Sequence, residues 1–408
     1  MEKPYLCPMI NAATLEFIQT HWEDDPTRLL LSANRFSGVD VRFAAQQIEA
    51  RQRMKEKLPQ WYATPEIVFP SSLAGQQASS QESARYKQRF VPEGATVIDC
   101  TGGLGVDSAA FAAKASKVVY IEQSETLCRT AEHNFKALGL NNIEIQQGSC
   151  TDLLPSIPSA DFIYIDPSRR SADHKRLFAL SDCEPNTLAI KDMLLNKAHS
   201  VLVKSSPMAD IKQTLRLLPE TTQVHVLSVE NECKELLFLM EQKDFLQNEM
   251  DTVPIICVDL RTAGTTECFA FTMGEEALAN AHIAGDISTG YLYEPNASLL
   301  KAGAFKLLSL RFGLHKLHQH THLYWASAPH HSFPGRKFRI FEVLYFNNQA
   351  IKTLHHSIPQ ANVAVRNFCM EAQELRKRLK IKDGGDVTIF GVTLCDNRYA
   401  LVVATKEH

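Results

Sequence analysis

The chain has 408 residues, more than one ordinary hydrophobic core requires, so two or three domains are expected. Its 45% hydrophobic and 22% charged residues are typical of a soluble globular protein and exclude a disordered one. The sequence has no apolar run of about 18 residues, no basic-then-apolar leader at its start and no CxxC pair among its ten cysteines. We therefore predict a cytoplasmic protein with reduced thiols and no membrane partner.

The net charge of -3 conceals an asymmetry along the chain. Residues 301–408 contain 16 basic and 7 acidic residues, a local charge of +9, whereas residues 1–300 contain 27 basic and 39 acidic residues. A basic module attached to an acidic body is typical of a polyanion-binding appendage, but a solvated basic face without a partner has the same composition. Charge alone leaves both interpretations open.

Helices are predicted before about residue 70, over 13–20 and 41–58. A polar segment that follows Pro70 leads into another helix, which Ser79 or Ser80 can cap. From Ala95 onward, short β-branched runs alternate with helical segments. The predicted strands are 96–100, 117–122, 143–147, 161–166, 200–205, 223–229 and 235–240, with helices at 106–114, 124–138 and 186–198. This alternation predicts a largely parallel sheet covered on both faces, closed by a pair of strands with no crossover between them.

Beyond about residue 250 the pattern becomes less regular. The predicted elements are strands at 254–259 and 268–273, a helix at 297–312, a strand at 338–346, a helix at 348–356, a strand at 361–367, a helix at 370–380 and strands at 387–394 and 398–405. The tail is therefore a small α+β module. The predicted division is an N-terminal helical region (1–75), an α/β domain (76–275), a connecting helical region (276–330) and the C-terminal α+β module (331–408).

The motif V-I-D-C-T-G-G-L-G-V-D spans 97–107 and carries the strongest chemical signal. A buried strand ends at Asp99, and glycines then allow the backbone to turn tightly into a helix and approach a ligand closely. As a dinucleotide fingerprint the motif lacks its third glycine, but it fits D-x-G-x-G-x-G with Thr101 in the first glycine's place. The candidate cofactor-binding residues here are Asp99, Thr101, Gly102, Gly103 and Gly105.

Two further segments fall in register with the glycine loop. Glu122 ends the next strand, where a carboxylate can accept both ribose hydroxyls of a nucleoside. Ser149 and Cys150 follow the third strand, where such folds contact an adenine, although Cys150 can equally be a buried thiol.

The segment D-P-S-R-R, residues 166–170, follows the apolar run F-I-Y-I, at the strand edge where open α/β sheets bind ligands. Together with the glycine loop it resembles a class I S-adenosylmethionine-dependent methyltransferase, a Rossmann-like fold. The segment is similar to the D-P-P-x or N-P-P-x loop of enzymes that methylate exocyclic amino groups of bases. The resemblance implies S-adenosyl-L-methionine as cofactor and catalytic roles for Asp166, Pro167, Ser168 and Arg169, with Asp166 also near the cofactor. Arg169 and Arg170 can hold a substrate phosphate or lie on the surface.

Carbon-5 methylation of uracil uses a similar D-P-P-R loop, with a nucleophilic cysteine in a nearby S-C-N-P segment. In this chain the corresponding segment is Lys204-Ser205-Ser206-Pro207. Because an unactivated hydroxyl is a poor nucleophile beside a thiolate, we disfavour carbon-5 chemistry.

Several other segments resemble a bacterial group of methyltransferases with a C-terminal THUMP-like domain. They are Q-A-S-S-Q-E-S-A-R-Y-K (77–87), Y-E-P-N-A-S-L-L-K-A-G-A-F-K (293–306), F-P-G-R (333–336) and L-K-I-K-D-G-G-D (379–386). The resemblance covers most of the chain from about residue 70 and implies RNA, either tRNA or rRNA, as substrate. It also places Gln77, Ser79 and Ser80 at a helix start that can meet the carboxylate of the cofactor.

Six histidines crowd residues 315–331, but neither a cysteine nor a carboxylate lies nearby in the sequence, so we predict no metal site. The leading hypothesis is an RNA methyltransferase that acts on an amino nitrogen of a base. The alternatives are a methyltransferase acting on a protein or small molecule, and a non-catalytic factor that binds RNA or the cofactor.

Overall fold

The computed structural model describes residues 11–70, 72–169, 183–242, 249–261 and 264–407. The chain divides into two units, Met1–Thr222 with Leu237–Gln247 and Gln223–Leu236 with Asn248–His408. Among the described residues, no helix has the length and apolar character needed to cross a membrane.

Helices form the start of the first unit, as the sequence predicts. They are α1 (Ala12–His21), α2 (Pro26–Leu31), α3 (Val41–Met54), α4 (Pro59–Ala63), α5 (Ser72–Gln77) and α6 (Gln81–Gln88). The predicted helix over 41–58 ends early, at Met54, and Pro59 begins the separate helix α4, where its missing N–H is tolerated. The polar segment after Pro70 includes the short helix α5, and Ser80 caps α6 by accepting a hydrogen bond from the Ser83 backbone N–H.

The first unit holds the parallel sheet that the strand–helix alternation predicts. Its strands are β1 (Thr96–Asp99), β2 (Lys117–Glu122), β3 (Ile143–Gln147), β4 (Ala160–Ile165) and β7 (Ala198–Ser205). Its remaining helices are α7 (Val106–Ala112), α8 (Glu125–Ala137), α9 (Cys150–Leu153), α10 (Thr187–Lys197) and α11 (Ile211–Leu217). A separate two-stranded ladder joins β5 (Ser168–Arg169) and β6 (Cys183–Glu184).

The strand order β3-β2-β1-β4-β7 explains where the site lies. All four neighbouring pairs are parallel, so every strand ends at the same edge of the sheet. The order reverses between β1 and β4, and an open sheet binds its ligand beside such a reversal.

The predicted closing pair is β8 (Thr221–Val229) and β9 (Glu232–Glu241), which are neighbours in the sheet order. They are joined by Glu230 and Asn231, both at positive φ, and so short a connection requires antiparallel strands. The division between the two units passes through this hairpin.

In the second unit β10 (Ile255–Leu260) pairs parallel with β8 and antiparallel with β11 (Thr266–Phe271). A seven-stranded sheet follows, in the order β13-β14-β12-β15-β18-β17-β16. Its strands are β12 (Gly290–Pro295), β13 (His315–His318), β14 (Thr321–Ala326), β15 (Gly335–Tyr345), β16 (Asn362–Arg366), β17 (Val387–Thr393) and β18 (Tyr399–Glu407). The helices of this unit are α12 (Met273–Leu278), α13 (Ala297–Ala302), α14 (Phe305–Phe312), α15 (Asn348–Ser357) and α16 (Ala372–Leu379). Apolar side chains of α15 and α16 pack on the sheet residues Ile389, Leu401 and Val403.

Two features of this unit differ from the sequence predictions. The predicted helix over 297–312 is two helices, because Gly303 adopts φ +86° and ends α13. Residues 276–330, predicted as connecting helices, also contain β12, β13 and β14. Because β12 pairs with both β14 and β15, this segment shares a sheet with the tail. The four domain boundaries themselves stay a prediction.

Candidate functional site

A cavity of about 650 Å³ opens in the first unit at the carboxyl ends of the parallel strands. The wall is formed by the loops after β1, β2, β3 and β4 together with the segment 74–79. It brings together most of the residues that the sequence predicts for the site. These are Gln77, Ser79, Thr101, Gly102, Gly103, Gly105, Glu122, Cys150, Asp166 and Ser168.

The glycine loop after β1 has no room for side chains. A Cβ atom on Gly102 would lie 2.1 Å from the ring of Tyr120, and one on Gly105, which has φ +87°, would lie 2.6 Å from the ring of Phe135. The Tyr120 hydroxyl donates to the Gly103 carbonyl at 2.6 Å, and the Gly102 N–H donates to the Ile121 carbonyl at 2.8 Å. The loop is therefore held against β2, with its backbone facing the cavity.

Asp99 lies beneath the glycine loop rather than on the cavity wall, and it is fully buried. Its carboxylate accepts hydrogen bonds from the Thr101 N–H at 3.1 Å and the Ser108 hydroxyl at 2.5 Å. Burial raises the pKa of Asp99 to about 7. The nearby Asp107 and Asp166 also raise it, and the two hydrogen bonds oppose the shift. The geometry therefore gives Asp99 a role in shaping the loop.

Glu122, at the end of β2, faces the cavity from beside the loop. One carboxylate oxygen accepts from the Gly103 N–H at 3.0 Å, and the other accepts from the Ser124 N–H at 2.9 Å. Each oxygen has a second lone pair. The carboxylate is thus held in one orientation and can still accept two hydroxyl groups.

The loop after β3 contributes Gly148 and Cys150 to the cavity, whereas Ser149 precedes α9 and is not part of the wall. Cys100, which the sequence analysis did not single out, also lies on the wall and is buried. A hydrogen bond between the Cys100 and Cys150 thiols, together with burial, raises the pKa of Cys100 well above its usual range. The two thiols therefore form one buried contact at this end of the cavity.

A buried ion pair supports the part of the wall that carries Ser79 and Asp107. The Lys87 ammonium is completely buried, 2.8 Å from Asp107 Oδ1 and 2.7 Å from the Ser79 hydroxyl. Both Ser79 and the Tyr164 hydroxyl donate to Asp107 Oδ2, at 2.7 and 3.0 Å. Burial alone would raise the pKa of Asp107, but the charges of Lys87 and Lys204 lead to a net lowering.

Two other predicted residues that precede the sheet, Gln77 and Ser80, have different roles. Gln77 lies on the cavity wall, at the end of α5. Ser80 is absent from the wall, because its hydroxyl accepts the Ser83 N–H and caps α6.

Asp166 follows β4 and is held at two points. Its backbone N–H donates to the Thr101 hydroxyl at 2.7 Å, and its Oδ2 accepts from the Lys204 ammonium at 2.5 Å. About a third of its side chain, 34%, stays exposed. Thr101 therefore joins the glycine loop directly to the loop that carries Asp166.

The remaining residues of the D-P-S-R-R segment are less fully described. Ser168 lies on the wall and pairs with Glu184 across the β5–β6 ladder, whereas Pro167 is not part of the wall. The Arg169 side chain and the whole of Arg170 lie outside the described residues.

Sequence patterns did not identify Cys100, Lys87, Asp107, Tyr164 and Lys204 as parts of the site. Only Lys204 had a readable signal, because it lies near the carboxyl end of β7, the strand adjacent to β4, and so reaches the same edge as Asp166. The contacts of Lys87 join α6, α7 and β4, which local sequence patterns do not connect.

The histidine-rich segment over 315–331 has other contacts. His318 is hydrogen-bonded to Asn397 and Asn367, and the His322 ring stacks on Phe305 with ring centroids 3.5 Å apart. Burial lowers the pKa of His322 to about 4. Within the described ranges, no three His, Cys, Asp or Glu side chains are grouped so that they could hold a metal ion.

Comparison with known proteins identifies two matching families and a solved structure that is similar over nearly the whole chain. A family described as a ferredoxin-like domain matches residues 291–334, and one described as THUMP domain-like matches residues 335–406. The crystal structure of a candidate methyltransferase from Porphyromonas gingivalis W83 is 36% identical, covers 97% of this chain and 98% of that chain, and has a TM-score of 0.87.

A curated protein of Leptospira interrogans, named an uncharacterized RNA methyltransferase, is 26% identical over 151 residues. The match covers 34% of this chain and 36% of that protein, so the chain spans about a third of the length of the curated relatives that it matches.

The raised pKa of Asp99 predicts a pH-dependent stability. The folded-state pKa of about 7 lies above the unfolded value of about 4, so this group's stabilising contribution is complete below about pH 4 and is lost as the pH rises through 7. We expect Asp99→Asn to remove this dependence. The difference in free energy of unfolding, variant minus wild type, should increase by up to roughly 1.4 kcal/mol per pH unit between about pH 5 and 7.

Urea denaturation at a series of pH values measures this difference. Asp192→Asn, which changes an exposed acid on α10, is the matched control and should leave the pH dependence of the wild type unaltered. Parallel pH profiles for wild type and Asp99→Asn would contradict the raised pKa.

Proposed function

Because the chain belongs to the family of the Porphyromonas gingivalis candidate methyltransferase, we propose that it transfers a methyl group from S-adenosyl-L-methionine to RNA, at an exocyclic amino group of a base. The observation that carries the proposal is the hydrogen bond from the Asp166 N–H to the Thr101 hydroxyl. It holds an acceptor-positioning acid beside a glycine loop suited to a nucleoside cofactor.

The cavity fits S-adenosyl-L-methionine in several ways. The glycine loop allows close backbone approach, because a side chain at Gly102 would overlap Tyr120. Glu122 is oriented to accept the two ribose hydroxyls, and the wall residues Gln77 and Ser79 are polar groups for the methionine end. In place of the third glycine of a dinucleotide fingerprint the chain has Ser108, which is hydrogen-bonded to Asp99. The remaining groups, the cysteine thiols and the backbone at Gly148, would contact the adenine.

The bound cofactor would supply an electrophilic methyl group on a sulfonium. In the proposed reaction, Asp166 accepts a hydrogen bond from the target amine and so directs the nitrogen lone pair toward that methyl. The N–C bond forms as the C–S bond breaks, the bonding electron pair moves to sulfur, and the nitrogen then loses a proton to solvent. Such an in-line displacement depends mainly on positioning, so Asp166 and the neighbouring Pro167, Ser168 and Arg169 act by holding the acceptor.

RNA as the substrate class, with tRNA and rRNA both possible sources, is supported by two observations. The Leptospira interrogans relative is named an RNA methyltransferase. Residues 301–408 carry a local charge of +9, as a polyanion-binding module requires. We assign catalysis to residues 76–275 and RNA binding to the tail over 331–408, which has 12 basic and 7 acidic residues and so holds most of this excess. A cytoplasmic location fits the nine free cysteines of the described residues.

The cofactor assignment predicts the effect of removing the Glu122 carboxylate. We expect Glu122→Ala to weaken binding of S-adenosylhomocysteine at least about tenfold, because two hydroxyl groups lose a charged acceptor. Isothermal titration calorimetry measures the affinity, with NAD as a ligand that should not bind. Glu125→Ala, an exposed acid at the start of α8, is the matched control. If the wild-type protein bound NAD and not S-adenosylhomocysteine, the cofactor assignment would be wrong.

The catalytic assignment predicts a separation of binding from turnover. Asp166→Ala should lower incorporation of labelled methyl groups into an RNA pool by about 100-fold or more, because the acceptor is no longer aligned. Affinity for S-adenosylhomocysteine should stay within about threefold of the wild type, because Glu122 and the glycine loop are unchanged. A parallel loss of both properties would assign Asp166 to folding or cofactor binding instead.

RNA binding by the tail predicts a steep salt dependence. Lys377 and Arg378 lie exposed on α16, and replacing both with Gln should reduce the slope of log affinity against log salt by roughly 0.7 for each lost phosphate contact. Filter binding of RNA at several salt concentrations measures the slope. Replacing Lys117 and Lys136 of the first unit with Gln removes the same charge and should leave it unchanged. Affinity independent of salt would exclude this role of the tail.

A further inference from the structure

We propose that Lys204 is a positioning residue for methyl transfer, which holds the Asp166 carboxylate in the orientation that accepts the target amine. This inference rests on the proposed function, because it assigns a partner to the residue that aligns the acceptor. It adds a second fixed point to Asp166, whose backbone is already tied to Thr101.

The register of the sheet places Lys204 beside Asp166. β4 and β7 are parallel neighbours with Ile165 opposite Val203, so the residues that come next in the chain are Asp166, just after β4, and Lys204, on β7. The Lys204 ammonium donates to Asp166 Oδ2 at 2.5 Å. Only 14% of the Lys204 side chain is exposed, compared with 34% for Asp166. Because Lys204 is not on the cavity wall, it acts through Asp166 rather than by touching substrate.

The charges around this pair explain why a cation is needed. Two other acids lie near the pair. Asp99 on β1 interacts electrostatically with Asp166, and Asp107 on α7 interacts electrostatically with Lys204. In the part of the chain that the structure describes, three carboxylates and the two ammonium groups of Lys87 and Lys204 therefore lie close together here. Without Lys204, Asp166 would lose this cation and stay within the field of Asp99. Such repulsion favours rotation of the Asp166 carboxylate away from its present position on the cavity wall.

The pairing also determines what Asp166 can present to a substrate. Lys204 binds Oδ2, and the exposed part of the side chain faces the cavity as a hydrogen-bond acceptor. A carboxylate that is fixed by an ion pair loses little conformational freedom when the amine arrives. During transfer the amine nitrogen gains positive charge while its N–C bond forms, and the anionic oxygen beside it stabilises that charge. The positively charged Lys204 keeps that oxygen in place and takes no proton.

The test uses five variants of the whole chain and compares kcat, KM for RNA and affinity for S-adenosylhomocysteine. Lys204→Met should lower kcat by about 100-fold, with a smaller change in KM and cofactor affinity within about threefold of the wild type. Lys204→Arg should recover activity to within about tenfold of the wild type, because it restores the cation. Lys191→Met removes a comparable lysine from a half-buried pair with Glu220, 2.6 Å away on the same unit, and should leave kcat unchanged.

The effect of Lys204→Met is also measured in the Asp166→Asn variant, and this comparison decides whether Lys204 acts through Asp166. An amide oxygen still accepts a hydrogen bond but has no charge for Lys204 to hold, so Asp166→Asn combined with Lys204→Met should be no less active than Asp166→Asn alone. If Lys204→Met lowered kcat equally in both backgrounds, Lys204 would act independently of Asp166 and the proposal would be overturned. Lys204→Met with the activity of Lys191→Met would overturn it too. Failure of the wild type to methylate any RNA would instead overturn the proposed function, and this inference with it.

Discussion

The site depends on one close approach, that of the Gly102 backbone to the ring of Tyr120. No side chain fits at position 102, and the Tyr120 hydroxyl binds the next carbonyl, so β2 sets the path of the loop that follows β1. Glu122 at the end of the same strand accepts the Gly103 N–H. The loop, the acid that faces a nucleoside and the strand that supports them are therefore one rigid arrangement. Thr101 extends this arrangement to Asp166, so that one hydrogen bond joins the glycine loop to the loop that carries Asp166.

A second constraint is the burial of charge beneath this arrangement. Lys87 is fully buried, and oxygen atoms of Asp107, Ser79 and Tyr164 lie within hydrogen-bonding distance of its ammonium. Removing one member of such a set leaves an unpaired charge in an apolar environment. The network thus links α6, α7 and β4, and it fixes the wall that carries Ser79.

Much of this fold follows from local sequence. The β-branched runs that alternate with helices gave nearly all strands of the first unit within two residues, because a buried parallel strand needs a continuous apolar run. The glycine loop and Glu122 could be located because their spacing from a strand end is itself the signal. The prediction for residues 276–330 was only partly right, because β12 and β13 are short and β12 pairs with strands that lie later in the chain. The partners of Lys87 and Lys204 are also distant in sequence, and no local pattern connects them.

The electrostatics of the cavity bear on how the proposed substrate reaches it. Among the residues that the structure describes, three acids, Asp99, Asp107 and Asp166, lie around two lysines at the cavity, and residues 1–300 are acidic as a whole. An acidic surrounding suits a sulfonium cation and disfavours phosphate groups. The affinity for a polyanion must therefore come from elsewhere in the chain, and the basic excess of residues 301–408 is the available source. On the proposed function, this division explains why one chain combines an acidic catalytic unit with a basic tail: the site selects the methyl donor, and the tail concentrates the acceptor.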